Sequence, residues 1–525
     1  MCESVSFLNG FQKIALTMGA VPEYTYGNSP VWPTTYRHQA YEVMVFTENG
    51  HYYAMTDTGN VFCIDSPTAC IQEAINYVAQ LGGGVIYIKT GIYNLFSPVN
   101  LISNNIWLIG EGRSTILMRP NNTNYPAHSV IAPYHPMVNI SNSQDIVIEN
   151  IALDGNQANN QPPSDDGGNI NLLIYSSQNV FVRNLWSYEP TGDGINIYNS
   201  YNVAVENAVL YSSYPYYFAG AGIGGSTNVF FKNVYIRDFN HNVEIFGSSY
   251  QTGISTTNRN HTYVDLILER STASGYTLTA SLLYDATFIN LRSYVLSSNI
   301  GGGLYFQGVD NIQFYGGHVL AGVGAWALDF EGGTYPVSNI VIRDMKIEQG
   351  SYGIVLHSVQ NAIIEGCEFI PPLSPQNQFL YMSIPSGSSY PMRNAVVRNN
   401  YFGNLNGDTA VEVDSGDTIY IEENYFDGSK PFWTSVVTNI VVRRNKGYVT
   451  ENHGVATFSG NGSSTQFNIT HGLVSTPSKI QVIPGSSDAA GSFYVTADST
   501  YIYVNYITAP PSGTNNIVLY WYAEV

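Results

Sequence analysis

Gln178-Asn-Val-Phe-Val-Arg-Asn, Tyr201-Asn-Val-Ala-Val-Glu-Asn and Thr227-Asn-Val-Phe-Phe-Lys-Asn are three copies of one phrase: a polar residue, Asn, alternating apolar residues, then a second Asn. Related copies begin at Gln144, Asp310, Ser338, Gln360, Arg393, Asp417 and Thr438, so the phrase recurs between residues 144 and 447. From position 179 onward its second positions are separated mostly by 21 to 33 residues; the 83-residue gap from 228 to 311 leaves room for weaker copies at Tyr263-Val-Asp-Leu-Ile-Leu-Glu and Asp285-Ala-Thr-Phe-Ile-Asn-Leu. Alternation of period two means strand, and a unit this short cannot bury its own apolar face, so units must stack. A variable repeat with one strongly marked strand suits a right-handed, single-stranded parallel β-helix, whereas a propeller blade needs four strands and about 40 residues. The recurrent Asn has a local explanation: it tolerates left-handed turns, bonds nearby backbone and ladders with copies of itself. With Ile148, Val182, Val205, Ile342, Ile364 and Val397 at equivalent steps, the phrase predicts about a dozen coils with these side chains pointing inward.

Composition bounds the function. The 525 residues include 49 Gly and 41 Tyr but only 11% charged residues, the profile of a turn-rich and strand-rich chain. The net charge of −19, from 39 acidic and 20 basic residues, argues against binding to a phosphate backbone, which needs clustered Lys and Arg. No run of 18 apolar residues occurs, so no membrane insertion is expected. Phe11 to Val21 is short and has only Lys13 as a nearby cation, a weak fit to an export signal. Sparse charge suits an acidic habitat, where ion pairs are lost, and equally suits an ordinary polar β-helix surface. Cys63 and Cys70 could close a small loop in an oxidising setting, while Cys2 and Cys367 have no such neighbour. The absence of Cys/His metal spacing argues against structural zinc, and no cofactor is expected.

The chain divides by pattern into an irregular arm over 1–45, a hairpin and helix over 46–84, the solenoid over 85–450 and a distinct module over 451–525. Asn49-Gly50 marks a tight turn between alternating segments, and Ser66-Pro-Thr begins an amphipathic helix, Ala69 to Leu81, with Ile71, Ala74, Ile75 and Val78 on one face. Past residue 450 come short, evenly spaced strands that predict a β-sandwich.

Cys70-Ile-Gln-Glu-Ala-Ile-Asn, Gly82-Gly-Gly-Val-Ile-Tyr-Ile-Lys-Thr-Gly-Ile-Tyr and Ile109-Gly-Glu-Gly-Arg-Ser-Thr-Ile-Leu together resemble the opening of the pectate-lyase-like superfamily of β-helices, including polygalacturonases and viral tailspikes. The resemblance spans roughly residues 41 to 450 and implies an N-terminal helix capping the solenoid. His471-Gly-Leu, Thr476-Pro and Ala509-Pro-Pro-Ser-Gly-Thr-Asn-Asn-Ile are similar to C-terminal modules of archaeal-virus and phage tail fibres. These likenesses imply a homotrimeric spike or fibre on a virion surface, from a virus of an acid-living thermophilic archaeon.

Glycan cleavage on such a scaffold needs paired carboxylates on adjacent coils. Asp193, between glycines in Thr191-Gly-Asp-Gly-Ile-Asn-Ile, is the best single candidate, and a similar Asp-Gly-Ile phrase belongs to the catalytic region of polygalacturonase-like proteins. Asp166 (beside Asp165), Asp154 and Glu244 are its candidate partners, with Asp238 and His241 nearby in sequence. The chain lacks that family's Asn-Thr-Asp, Gly-His-Gly and Arg-Ile-Lys phrases and the pectate lyases' Arg-x-Pro-x-x-Arg, so neither hydrolase nor lyase machinery transfers whole. Asp193 serves equally well as a turn residue satisfied by backbone. Tyr214, Tyr216 and Tyr217, close to Tyr211 and Phe218, offer rings for stacking on sugars, or for packing. Trp326, Asp329 and Glu331 form a third sugar-facing group. The expected partner is a cell-surface polysaccharide or glycoprotein glycan, bound and in one version cleaved; a secreted polysaccharide hydrolase or lyase and an archaeal surface filament or adhesin subunit are the alternatives.

Overall fold

The computed structural model describes residues 41–130, 134–161, 168–213, 219–247, 257–270, 275–296, 302–322, 324–348, 351–371 and 378–525, all within a unit spanning Arg37–Val525. Its centre is a stack of parallel coils. Thirteen strands, from Val99–Leu101 to Lys430–Trp433, line up as one parallel sheet, here called the second sheet. The phrase strands, such as Gln144–Asp154, Gln178–Tyr188 and Tyr201–Tyr211, form the larger first sheet, which holds 24 strands with the N-terminal hairpin included. No crossover helix joins successive strands among the described residues.

The apolar alternation builds two inward columns that run the length of the solenoid. In the first sheet Ile148, Val182, Val205, Phe231, Tyr263, Phe288, Phe314, Ile342, Ile364, Val397 and Ile421 lie in register, and all are buried. The six inward positions expected from the sequence are thus all in the core. Rings repeat along the column: Tyr263 stacks on Phe288 at 4.7 Å and Phe288 on Phe314 at 4.8 Å. In the second sheet Leu172, Ile195, Ala221, Val243, Leu278, Leu304, Leu328, Ile354, Leu380 and Val411 make the facing column.

The Asn of each phrase sits where the backbone must turn. Asp145, Asn179, Asn202, Asn228, Asn311, Asn339, Asn361 and Asn394 all have φ between 53° and 61°, the left-handed region Asn tolerates best. Their amides hydrogen-bond from coil to coil, Asn179 Nδ2 to Asp145 at 2.9 Å and Asn202 Nδ2 to Asn179 at 2.9 Å. The closing Asn of the phrase forms a second ladder, Asn150, Asn184, Asn207 and Asn233, again with positive φ, where the long strand bends. One weak copy is reframed by the structure. Asn260 bonds Asn228 and has φ 56°, so that copy begins at Arg259, not at Tyr263. The buried His261 occupies a place held by Val180, Val203 and Val229 in the three preceding copies, which hid the phrase.

A helix, Ile71–Gln80, covers the N-terminal end and buries Ile71, Ala74, Ile75 and Val78 against the coil core. Ser66 accepts from the Cys70 backbone N–H at 2.8 Å, and the hydroxyls of Ser66 and Thr68 donate to Glu73. Cys63 and Cys70 form a disulfide that ties the strand Val61–Ile64 to the helix start; Cys367 is buried and free. The hairpin pairs Val43–Glu48 with His51–Thr56 around Asn49 and Gly50, both at positive φ, and so begins inside the span assigned to the arm, because its alternation already starts at Val43. Residues 1–40, most of that arm, lie outside the described residues. At the other end two three-stranded antiparallel sheets enclose Phe467, Ile469, Leu473, Ile502, Val504, Ile517 and Leu519, with Trp521 packed against this second core.

Deep in the last coils the ladder becomes load-carrying for backbone as well as side chains. Asn424 Oδ1 accepts from the backbone N–H of Asn400 at 3.0 Å, and its Nδ2 donates to the Val397 carbonyl at 2.9 Å, with the side chain 1% exposed. Asn424→Ala strands these buried groups and is expected to cost about 3 kcal/mol, against about 1 kcal/mol for the less buried Asn202→Ala, where a left-handed position is chiefly at stake. Denaturation midpoints of the two variants check the ranking, and equal losses would contradict it.

Candidate functional site

Chemistry-bearing side chains collect in three neighbouring columns of the second sheet. The first column stands at the strand starts, two residues before the inward column, and contains Asp193, His241, Tyr276, Trp326 and Tyr352. The second points outward from mid-strand: Asn196, Gly222, Glu244, Thr279, Tyr305, Asp329, Val355, Tyr381 and Glu412 are in direct register. Two residues further along, Gln307, Glu331, His357 and Ser383 form the third. Alternation explains the second and third columns, since residues beside the inward Leu328 and Phe330 must face out, and stacked rungs about 4.8 Å apart bring equivalent positions together.

Around Asp193 the group is compact and closed. Its side chain is 5% exposed, Oδ2 accepts from Asn196 Nδ2 at 2.7 Å and Oδ1 from the Ala219 backbone N–H at 2.7 Å. Burial pushes the carboxyl up to about 7; the Asn196 and Ala219 bonds oppose this, Glu244 adds to the rise and His241 counters it. Gly222 keeps the place open, because a Cβ there would lie 2.5 Å from Asn196 Oδ1. His241 Nδ1 is 3.7 Å from Glu244 Oε2. His241 and Glu244 are thus neighbours, and both act electrostatically on the Asp193 carboxyl. Asp154 does not join them: it ends the first-sheet strand Gln144–Asp154 in register with Tyr188, its Oδ1 accepting from Asn156 N–H at 2.8 Å. Sequence proximity by one coil had suggested a meeting, whereas Asp154 ends a first-sheet strand and Asp193 precedes the second-sheet strand Ile195–Tyr198. Asp165, Asp166, Tyr214, Tyr216, Tyr217 and Phe218 lie outside the described residues, while Asp238 is buried and ion-paired with Arg237.

A second group, three rungs on from Glu244, surrounds Asp329. Asp329 is 0% exposed, neither carboxyl oxygen has a hydrogen bond among the described residues, and burial together with Glu331 pushes its carboxyl up to about 8. Glu331 Oε2 lies 2.8 Å from His357 Nδ1. Half-buried rings stand round these groups: Tyr276 and Tyr305 with centroids 5.1 Å apart, Trp326 6.4 Å from both Tyr352 and His357, and Tyr381 5.9 Å from Tyr352 and His357. Tyr276 occupies space that only glycine leaves free, since a Cβ on Gly302 would lie 2.1 Å from its ring. Trp326, Asp329 and Glu331 were legible in the sequence; His357, Tyr352, Tyr381, Tyr305 and Tyr276 were not singled out. Aligning Leu328-Asp-Phe-Glu with Ile354-Val-Leu-His one coil later would have set His357 beside Glu331.

A family model described as a right handed beta helix region matches residues 333–507. No curated protein matches the chain. Among solved structures the chain is similar to the A-module of Azotobacter vinelandii mannuronan C-5 epimerase AlgE6, with 17% identity and a TM-score of 0.47 over 72% of this chain and 95% of that one. The Pseudomonas phage phi297 tailspike gp61 gives 12% identity and a TM-score of 0.46 over 87% and 92%. The tailspike of E. coli bacteriophage HK620, in complex with pentasaccharide, gives 13% and 0.42 over 89% and 92%. Strand topology and the matched family description make this chain a right-handed parallel β-helix. No helix among the described residues is long and apolar enough to cross a membrane.

The state of Asp193 sets a pH test. Its folded pKa, about 7, lies above the value of about 3.9 for an unfolded Asp, so the protonated form favours folding. That contribution is fully present below about pH 4 and is lost as pH rises through about 7. Asp193→Asn is therefore expected to raise the Tm at pH 8 and to leave it nearly unchanged at pH 3.5; a Tm difference that stays constant with pH would refute the assignment.

Proposed function

We propose that this protein is a spike- or fibre-type surface protein whose solenoid binds an extended cell-surface glycan along the outward columns of the second sheet. The observation that carries this reading is the run of Tyr276, Tyr305, Trp326, Tyr352 and Tyr381 around Asp329 and Glu331. Aromatic faces stack on the apolar faces of sugars while carboxylates accept hydrogen bonds from hydroxyls, and rings on rigid strands lose little entropy on binding. Between Asp193 and Tyr381 these columns carry no Lys or Arg among the described residues, and the chain bears a net charge of −19. An uncharged glycan fits such a surface, whereas a polyuronate would be repelled. Tyr305→Ala and Trp326→Ala are each expected to weaken glycan binding about tenfold, about 1.4 kcal/mol, with the Tm little changed. Binding that both variants retain in full would remove the columns from recognition.

One observation favours cleavage as an added activity at the Asp193 end. A carboxyl pushed up to about 7 by burial, with the Glu244 carboxyl acting on it electrostatically, offers the two carboxyls that glycosidic bond hydrolysis needs, one of them protonating the leaving oxygen. On this reading Asp193→Asn abolishes sugar release at a pH where both forms are equally stable. Undiminished release by the variant removes Asp193 from the mechanism.

Virion attachment and a homotrimeric state complete the proposal, with the two C-terminal sheets as the assembly or attachment module. Support comes from Val455, Tyr520 and Ile483, which lie in register across one of those sheets and are 60%, 50% and 50% exposed. Removing residues 451–525 is expected to leave the solenoid folded and to lower the oligomeric mass in light scattering or to abolish cell binding. A truncated chain with the full oligomeric mass and unchanged cell binding would exclude that role.

A further inference from the structure

We infer that Asp329, Glu331 and His357 form a divalent-cation site of the zinc or manganese type, built into the outer face of the second sheet. The inference does not rest on the glycan reading. One carboxylate oxygen from each acid and one ring nitrogen of His357 all lie within 4.8 Å of one another. Ligand atoms sharing one ion at about 2.0–2.2 Å sit roughly 3 to 4 Å apart, so small side-chain rotations suffice to close the set.

Asp329 supplies the independent argument. A carboxyl group that is 0% exposed with neither oxygen hydrogen-bonded among the described residues is costly in either protonation state, and it calls for a ligand or an ion. The same solenoid shows the ordinary solution elsewhere, for Asp193 is also buried but has both oxygens satisfied by Asn196 and Ala219. Position 329 receives no such partners: its register neighbours are Tyr305 and Val355, and its neighbours along the strand, Leu328 and Phe330, point inward. Nothing in the alternation of the sheet requires an acid here, where Val serves one coil later.

The donor set selects the ion. Two carboxylates and an imidazole suit borderline cations such as Zn²⁺ and Mn²⁺; calcium and magnesium prefer all-oxygen surroundings with more ligands. The third column supplies Glu331 and His357 from adjacent coils, already 2.8 Å apart, so the ion would clamp two rungs together. Trp326 and Tyr381, with centroids 6.4 and 5.9 Å from the His357 ring, would be fixed in turn.

The test uses the full chain freed of metal with a chelator and dialysed. Titration with Zn²⁺, and with Co²⁺ as a spectroscopic probe, is expected to show one site per chain and a rise in Tm. Ca²⁺ at the same concentration is expected to give neither. Asp329→Asn and His357→Gln should each weaken Zn²⁺ binding at least 100-fold and abolish the Tm rise. Absence of stoichiometric binding, binding that survives in both variants, or a preference for Ca²⁺ over Zn²⁺ overturns the site. Loss of metal binding with glycan binding intact would separate this inference from the glycan reading.

Discussion

Every coil of this solenoid turns on a residue with positive φ, and the rest of the structure depends on that corner being affordable once per rung. An ordinary L-residue resists the left-handed region by roughly 1 kcal/mol or more, which over a dozen rungs would approach the whole stability of a domain. Asn and Asp reduce that cost and add a hydrogen bond to the equivalent residue of the next coil, as Asn361 does to Asn339 and Asn394 to Asn361, both at 3.0 Å. The corner thus fixes the register. Once register is fixed, apolar residues two apart must superpose as inward columns, and the residues between them must superpose as outward ones.

Outward columns are then free to carry chemistry. On the first sheet they carry an alternating ion-pair ladder: Arg183 meets Glu149 at 2.7 Å, Arg343 and Arg398 share Glu365 at 3.1 and 2.8 Å, and Arg443 meets Glu422 at 3.0 Å. On the second sheet, between Asp193 and Tyr381, the outward columns carry no Lys or Arg among the described residues, and rings and carboxylates take their place. This division uses few basic residues, and it leaves one face electrically balanced and the other acidic. The two faces answer acid in opposite senses. Hydrogen bonding from Arg398 holds the Glu365 carboxyl below its usual value, so its contribution is present above the unfolded value near 4.3 and is lost as pH falls further. Buried Asp193 favours folding when protonated and gains as pH falls. Sparse charge on the exposed surface therefore describes only part of the response to acid.

Burial without partners distinguishes the two acidic groups of the second sheet. Asp193 is a closed arrangement in which glycine at 222 makes room for Asn196 to reach the carboxylate. Asp329 is open in the chemical sense, with oxygens that no described residue satisfies. The rings around it come from coils whose sequences share only their period. Tyr276 precedes the inward Leu278, Trp326 precedes Leu328 and Tyr352 precedes Ile354, each by two residues.

What the sequence by itself determined was the local and periodic part: strand from the alternation, coil corners from Asn, inward Ile148, Val182 and Val397, and the helix face of Ile71, Ala74, Ile75 and Val78. These follow from backbone preference and from the need to bury one face, both of which act within a few residues. Only the tertiary structure decided which outward residues share a column, because loops of unequal length separate the strands and hide the alignment. His357 joins Glu331 across 26 residues, Glu244 reaches the surroundings of Asp193 through a glycine rung, and Asp154 goes to the other sheet despite lying one coil away. Contact across rungs depends on register, and register is settled by the whole stack of corners and hydrogen bonds rather than by any one coil.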